Sequence, residues 1–188
     1  VCAGVLIPFL PHFVFATIPF EDDLVNYFWP VMQHVAASLR AGHLPLWTPD
    51  MFTGFPLFAD PESGTLFPLN WLLVAVDGAA GVRLVLVGSA TIGAVSTCLY
   101  ARNLGLSVLP SAIAAWVFAL GGFATGHLVH VSMTNSACLM PLLLLSADRA
   151  LIAKPRRRIA WLVFAAGVHA LQWLGGHVQP PLMSLLFL

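Results

Sequence analysis

Charged side chains are scarce in this sequence. Only 9% of its 188 residues are Asp, Glu, Lys or Arg, whereas 59% are hydrophobic and the mean hydropathy is +0.89. About a quarter of the residues of an ordinary soluble domain are charged. A chain with so little polar surface is excluded from that class, and the composition predicts a protein that lies in a lipid bilayer.

Cysteine is also scarce, and the motifs of several functional classes are missing. Cys2, Cys98 and Cys138 all fall within apolar stretches, where cysteine behaves as a small hydrophobic side chain. This placement excludes a disulfide framework. The sequence has no Cys-x-x-Cys pair, no glycine-rich phosphate loop and no face of basic and aromatic residues, so we expect no nucleic-acid partner.

Long uncharged stretches are what the sequence does contain. Each one approaches or exceeds the roughly 18 to 20 residues that a helix needs to cross a hydrocarbon core of about 30 Å. They predict spans at residues 1–20, 84–101, 104–126, 128–147 and 159–176, and the start of a further span at residues 181–188. We therefore expect an all-α, polytopic transmembrane helix bundle that forms a single membrane domain, and we interpret the chain as a fragment of a longer protein.

The region between the first two predicted spans, residues 21–83, has a different composition. It holds seven of the eight acidic residues. Apolar side chains recur at intervals of three and four over residues 24–40, which predicts a helix after Asp23 that ends at Gly42. Residues 43–70 contain five prolines and predict an ordered loop.

Residues 66–76 decide how this region lies relative to the membrane. As a helix they would reach only about 16 Å, roughly half of the hydrocarbon core, so we interpret them as an interfacial or re-entrant helix. The alternative is the first half of a broken span, which would move residues 21–65 to the other side of the membrane. The sequence thus predicts a long first loop that contains short interfacial helices.

The basic residues indicate the orientation of the chain. Six of the eight follow predicted spans that end on the same side: Arg102, Arg149, Lys154, Arg156, Arg157 and Arg158. The positive-inside rule predicts that this side is cytoplasmic, with residues 148–158 as a cytoplasmic loop. Residues 21–83 would then face outside the cytoplasm. An anionic-lipid site at the arginines is the alternative reading, but topology alone accounts for their placement.

Several blocks of this region resemble a known family. Residues 23–30, 39–49, 52–56 and 59–61, which include Leu-Pro-Leu-Trp and Gly-Phe-Pro, look like the first extracytoplasmic loop of the YfhO family of bacterial membrane proteins, relatives of class C glycosyltransferases. The Gly-His-Val-Gln at residues 176–179 resembles that family's Gly-His-Pro-Gln turn. Thr48, Glu62 and Val178 depart from the family's usual Asn, Gln and Pro.

The resemblance implies an enzyme that is integral to the bacterial cytoplasmic membrane. Such an enzyme transfers a sugar from a polyprenyl-phosphate donor to an envelope glycan or lipid acceptor, with its active site facing outside the cytoplasm. It implies that Asp23 is the catalytic carboxylate, with Asp22 as second choice. Asp23 and Asp60 are the candidate ligands of a divalent metal ion, which would screen a leaving phosphate.

Candidate substrate- or phosphate-binding residues lie on the same predicted side. A departing lipid phosphate needs cationic or hydrogen-bonding partners, and the candidates are Arg40, His43, Trp47, Asp60, His127, His130, His177 and Gln179. Two structural alternatives stay open: a carboxylate can simply cap a helix, and a histidine at headgroup depth can simply bond a carbonyl.

A non-enzymatic transporter or envelope-assembly scaffold is the alternative function. In it, polar residues within the spans, namely His12, Asn135 and Gln172, would line a path through the membrane. A transporter is expected to hold its ionisable residues near the middle of the bilayer. The carboxylates here cluster outside the predicted spans, which favours chemistry on a lipid-borne substrate at the surface.

The predicted topology can be tested by labelling. A cysteine placed at Thr53 should react with a membrane-impermeant thiol reagent in intact cells, because residues 21–83 are expected outside the cytoplasm. Labelling only after permeabilisation would show that the orientation is reversed and would remove the basis of an extracytoplasmic active site.

Overall fold

The fold is described from a computed structural model. The structure describes residues 23–76 and 78–188 and, before them, only residues 4, 7, 10 and 11. Apart from these four positions, the predicted first span at residues 1–20 lies outside the described residues, as does the candidate residue Asp22. Within the described part, the regular elements are helical and no strand forms, apart from an isolated bridge between Thr48 and Phe55. The all-α expectation is confirmed for these residues.

The first described element is the predicted helix of the acidic region. A π-helical turn, Leu24–Phe28, leads directly into α1, Trp29–Arg40. The apolar side chains that recur every three or four residues, Leu24, Phe28, Val31 and Val35, are all buried, which confirms the predicted helix and its buried face. The helix ends at Arg40, and Gly42 just beyond it provides the predicted stop: its φ of +80° suits glycine, and the His43 amide donates to the Ser38 carbonyl over 3.2 Å.

The rest of this region consists of turns. Short 3₁₀ turns form at Pro61–Ser63 and Pro68–Trp71, and α2, Leu72–Ala75, follows. In each 3₁₀ turn the proline stands at the start, where its missing amide is not needed. The four residues of α2 are far too few to cross a membrane. Residues 66–76 are thus helical over a short length, as expected, and their interfacial position stays a prediction.

Longer helices make up the remainder. They are α3, Gly78–Asn103; α4, Val108–Leu120; α5, Gly122–Gly126; α6, Val131–Ala137; α7, Met140–Ile152; α8, Pro155–Leu174; and α9, Gln179–Leu185. Three helical segments are long and apolar enough to cross a membrane: Gly78–Asn103, Val108–Gly126 and Val131–Ile152. The α8 helix is not among these three, because arginines at positions 156, 157 and 158 occupy its first turn.

Several predicted boundaries were wrong. Residues 148–158 are not a loop, because α7 continues to Ile152 and α8 begins at Pro155, so that only two residues separate them. Proline is preorganised for the first position of a helix, which explains the early start of α8. The predicted span at 128–147 begins at Val131 and breaks after Ala137, because the Pro141 ring conflicts with the carbonyl four residues before it.

The order of the helices gives the bundle two distinct ends. The α3 helix packs against α4 and α7, and α7 packs against α8. Their short connections make sequence neighbours antiparallel. The start of α3, the α5–α6 turn and the α8–α9 turn therefore lie at one end, which we call the loop end. The α3–α4 and α7–α8 connections lie at the other, which we call the arginine end.

A shared core fixes the acidic region to the loop end. Leu24 and Phe28 pack in one buried cluster with Val82 and Val85 of α3 and with Val131 at the start of α6. Burial of a Leu, Val or Phe side chain contributes about 1.5 to 3 kcal/mol. This cluster joins residues that are more than a hundred positions apart, and it brings Asp23 to the start of α6.

Candidate functional site

Asp23 forms a pair with His130. Asp23 immediately precedes the π-helical turn, and His130 immediately precedes α6. The Asp23 Oδ2 atom lies 3.0 Å from the His130 Nε2 atom, and 59% of the Asp23 side chain remains exposed. The centroid of the His127 ring stands 5.5 Å from that of the His130 ring. The structure thus brings together three of the predicted site residues.

The other ring nitrogen of His130 is in a different environment. His130 Nδ1 is buried and has no hydrogen-bond partner among the residues that the structure describes. Its ring edge meets the Phe28 ring at a centroid distance of 6.5 Å. The only polar contact of the imidazole within this part of the chain is therefore the one to Asp23, which fixes the orientation of the carboxylate.

Asp60 is held by two donors. The Tyr27 hydroxyl donates to Asp60 Oδ2, and the Glu62 amide donates to Asp60 Oδ1 over 3.1 Å. The second bond caps the Pro61–Ser63 turn, so the capping alternative is realised at this carboxylate. Burial, and next the hydrogen bond to Asp60, raise the pKa of Tyr27 well above its usual range. Tyr27 therefore stays a neutral donor at physiological pH.

Glu62 faces His177 across two turns in contact. Glu62 Oε1 lies 3.9 Å from His177 Nε2. Burial raises the pKa of Glu62; His177 and His130 oppose this rise, while Asp60 and Asp23 add to it. These charges are close enough to affect one another, and they make a single acid–histidine cluster at the loop end.

A glycine makes this contact possible. Gly176 has a φ of +102°, and a Cβ atom there would lie 2.5 Å from the Pro61 carbonyl oxygen. No other residue type fits that approach without moving the turn. The Gly-His turn singled out in the sequence is thus the surface against which the Pro61–Ser63 turn packs.

Buried amides attach the two turns to the helices. Asn135 of α6 donates from Nδ2 to Asn70 Oδ1 over 2.9 Å and accepts from the Ser89 hydroxyl over 2.7 Å. Asn70 in turn donates to the Gly64 carbonyl over 3.0 Å. This series of hydrogen bonds holds the residues that follow Glu62 against α3 and α6.

A second buried amide positions the histidine turn. Gln172 is fully buried, and its Nε2 atom donates to the Ser136 carbonyl over 3.1 Å and to the Ser184 hydroxyl over 2.9 Å. The Ser136 hydroxyl accepts from the His177 amide over 3.3 Å. Polar groups buried among helices need such partners, and here they fix the backbone on which His177 stands.

The remaining predicted residues have other surroundings. Arg40 donates to the Leu73 and Val74 carbonyls at the end of α2. The Trp47 ring lies over Gly54 and is 61% exposed, and His43 is exposed just after α1. The Gln179 amide donates to His177 Nδ1 over 3.2 Å, so this residue adjoins the cluster through its backbone.

The candidate metal ligands are not assembled into a typical metal site. Among the described residues, no group of three or more His, Cys, Asp or Glu side chains is arranged to hold a metal ion. Asp60 accepts a hydrogen bond at each of its two oxygens, so one lone pair on each oxygen remains for another partner. Metal binding by Asp23 and Asp60 stays a prediction.

Sequence reasoning missed two members of the cluster. Tyr27 stands four residues after Asp23, so both lie on one side of the helical turn, and this spacing was a usable signal. Glu62 belongs to the acidic region but was not among the predicted site residues. Its partner His177 is 115 positions away in the sequence, and no local pattern reveals such a contact.

Comparison with known proteins gives no assignment. The chain matches no family model, no curated protein and no solved structure. The resemblance to the YfhO family therefore stays a prediction, and the chemistry of the cluster has to be argued from its own residues. An exposed carboxylate beside an imidazole can accept a proton from a hydroxyl, and a carboxyl group with a raised pKa can donate one.

The raised pKa of Glu62 predicts a pH-dependent stability. Above the ordinary Glu pKa of about 4.3, the native state holds this proton more tightly than the unfolded state, so stability falls as pH rises towards the native pKa. Glu62→Gln removes this effect. The thermal midpoint of the wild type relative to that of Glu62→Gln should decrease between about pH 4 and pH 7.

An exposed carboxylate provides the control for this measurement. Asp50 is 69% exposed and stands 4.0 Å from His34, away from the turn contact. The Asp50→Asn variant is the matched control, because it removes a carboxylate that lies outside the turn contact. A Glu62→Gln difference that is constant, or that grows in favour of the wild type as pH rises, would contradict the burial of Glu62.

Proposed function

We propose that this protein is an extracytoplasmic glycosyltransferase of the bacterial cytoplasmic membrane, with a polyprenyl-phosphate-linked sugar as donor and an envelope glycan or lipid as acceptor. The observation that carries the proposal is the Asp23–His130 pair, an exposed carboxylate oriented by an imidazole at the end of apolar helices. A substrate with a lipid tail would meet such a site from within the bilayer.

The charge distribution supports an active site outside the cytoplasm. Six of the eight basic residues stand at or next to the arginine end, whereas Asp23, Asp60 and Glu62 lie at the loop end. Under the positive-inside rule the arginine end is cytoplasmic. We infer a polytopic bundle in which residues 23–76 form an extracytoplasmic layer with short interfacial helices.

Asp23 is the proposed general base. Its second carboxylate oxygen is available to the hydroxyl of the acceptor, because the His130 ring bonds the other oxygen, Oδ2. As Asp23 takes the hydroxyl proton, the hydroxyl oxygen attacks the anomeric carbon of the donor sugar. The bond from that carbon to the phosphate oxygen breaks, its electron pair stays on the phosphate, and polyprenyl phosphate leaves.

The leaving phosphate needs stabilisation that the same cluster can supply. His177 pairs with Glu62, and His127 stands beside the Asp23–His130 pair. A protonated imidazole offers a charge-assisted hydrogen bond to a phosphate oxygen. Glu62 stands beside His177, where a raised pKa suits a proton donor. Arg40, His43, Trp47 and Gln179 remain proposed contacts for the rest of the substrate.

The surroundings of two polar residues weaken the transporter alternative. Asn135 and Gln172 were the polar residues expected to line a path, and His12 lies outside the described residues. Both amides are at most 1% exposed, and each is hydrogen-bonded on both sides. They serve as links between elements, which leaves the loop-end cluster as the better candidate for function.

Substitution of Asp23 tests the proposal. Asn caps a helix about as well as Asp but does not accept a proton at neutral pH. Asp23→Asn in the full-length protein should leave expression and membrane insertion unchanged and lower glycan transfer in membranes at least about 100-fold. Asp50→Asn is the matched control, because it removes a carboxylate that stands beside a histidine outside the cluster.

The outcomes separate three cases. Loss of transfer in Asp23→Asn but not in Asp50→Asn supports Asp23 as the base. Near-normal transfer in Asp23→Asn together with loss in Asp22→Asn would move the role to the neighbouring residue. Normal transfer in both variants would contradict an enzymatic role for this cluster.

A further inference from the structure

The arginine end contains a cavity lined by basic residues. The cavity measures about 720 Å³, within the usual range for ligand sites, and is lined by Arg149, Ile152, Ala153, Lys154, Pro155, Arg156, Arg157 and Trp161. No acidic residue is among them. Residues 78–188 include a single acid, Asp148, which accepts a hydrogen bond from Asn103 over 3.5 Å.

Within residues 23–76 and 78–188, the cationic side chains of this cavity have no acidic partner. Arg149, Lys154, Arg156 and Arg157 make no side-chain hydrogen bond or ion pair with any residue that the structure describes. Four like charges that converge on one cavity repel one another, and an anion in the cavity would relieve that repulsion.

The first turn of α8 adds further attraction for an anion. Pro155, Arg156 and Arg157 belong to this turn of a 20-residue helix, and Lys154 at its N-cap makes no side-chain capping bond. The turn also has no acidic residue. Amide groups at a helix start and the positive end of the helix dipole favour a phosphate group.

The borders of the cavity indicate which kind of phosphate it binds. Leu151, Ile152 and Ile159 around it are 65% to 76% exposed, as expected for side chains that face lipid. Trp161 lines the cavity itself, and tryptophan is enriched at the depth of lipid headgroups. A ligand that satisfies both the arginines and this apolar border carries a phosphate and an acyl chain.

We propose that this cavity binds the phosphate headgroup of an anionic phospholipid. The inference depends on the membrane-spanning helices and not on the glycosyltransferase proposal. It assigns the arginines a binding role in addition to setting topology, and it places an anionic-lipid site at the opposite end of the bundle from the acid–histidine cluster.

Binding of defined lipids to the purified full-length protein tests this site. Native mass spectrometry in detergent measures the dissociation constants for phosphatidylglycerol and phosphatidylcholine, with and without inorganic phosphate as competitor. Each basic residue near a lipid surface contributes about fivefold in affinity, so Arg156→Gln with Arg157→Gln should weaken phosphatidylglycerol binding about 25-fold. Phosphatidylcholine should bind at least about tenfold more weakly to the wild type.

A control variant removes the same amount of positive charge from residues just outside the cavity. Arg102 bonds the Leu106 carbonyl and Arg158 bonds the Leu151 carbonyl, and neither lines the cavity. Arg102→Gln with Arg158→Gln should therefore change the phosphatidylglycerol affinity no more than about twofold, because charges outside the cavity are screened. Equal weakening in both double variants would show a diffuse charge effect and overturn the proposal.

Two wild-type results decide the case even if a variant does not fold. Equal affinity for phosphatidylglycerol and phosphatidylcholine would show that no headgroup charge is recognised, and would overturn the site. Displacement of phosphatidylglycerol by inorganic phosphate at an equal concentration would show a site for free phosphate and would overturn the lipid assignment. Preferential binding of phosphatidylglycerol that inorganic phosphate does not displace supports the lipid assignment.

Discussion

The hydrogen bond between the Asn135 and Asn70 side chains joins the long acidic region to α6, which belongs to one of the segments that are apolar enough to cross a membrane. Asn135 is 1% exposed, and an amide buried in this way must find partners. It finds them in Asn70 and in Ser89, and Asn70 passes the connection on to the Gly64 carbonyl. The position of the Pro61–Ser63 turn, and with it the position of Glu62, depends on this chain of bonds.

Packing and polarity act together at this junction. The apolar cluster around Leu24 and Val131 holds the start of α1 on α3 and α6, and it requires no particular orientation of a polar group. The amide bonds are directional, and the Gly176 contact leaves no space for a side chain. The apolar cluster brings Asp23 to the start of α6, whereas the amide bonds and the glycine contact define where Glu62 stands relative to His177.

The two ends of the bundle carry opposite charge, and each has a chemical consequence. Carboxylates beside histidines at the loop end suit proton transfer, whereas the arginines and the lysine that line the cavity at the arginine end suit an anionic headgroup. A lipid bound at the arginine end would fix the depth of α8 in the membrane. The same helix leads to Gly175 and His177, so its depth also sets the height of the acid–histidine cluster.

Local periodicity predicted the helices well, because it reports burial that repeats every three to four residues. The buried face of residues 24–35 is the clearest example. The predicted boundaries of the loop at 148–158 and of the span at 128–147 were wrong. Pro155 starts a helix and Pro141 interrupts one, and a prediction from mean hydropathy takes neither effect into account. Asp23, Asp60, His130 and His177 were predicted as candidates, but their pairing was not, since partners 33 to 115 positions apart meet only through tertiary packing.

The central claim is that the acidic region docks on the loop end so that Asp23 meets His130. Cross-linking of the Asp23→Cys and His130→Cys pair with a short bifunctional thiol reagent, in a background without the native cysteines, tests this directly in membranes. The Asp23→Cys and His43→Cys pair serves as control, because His43 lies beyond the far end of α1. We expect a linked peptide by mass spectrometry for the first pair and none for the second. Absence of the 23–130 link, with both cysteines reactive, would contradict the account.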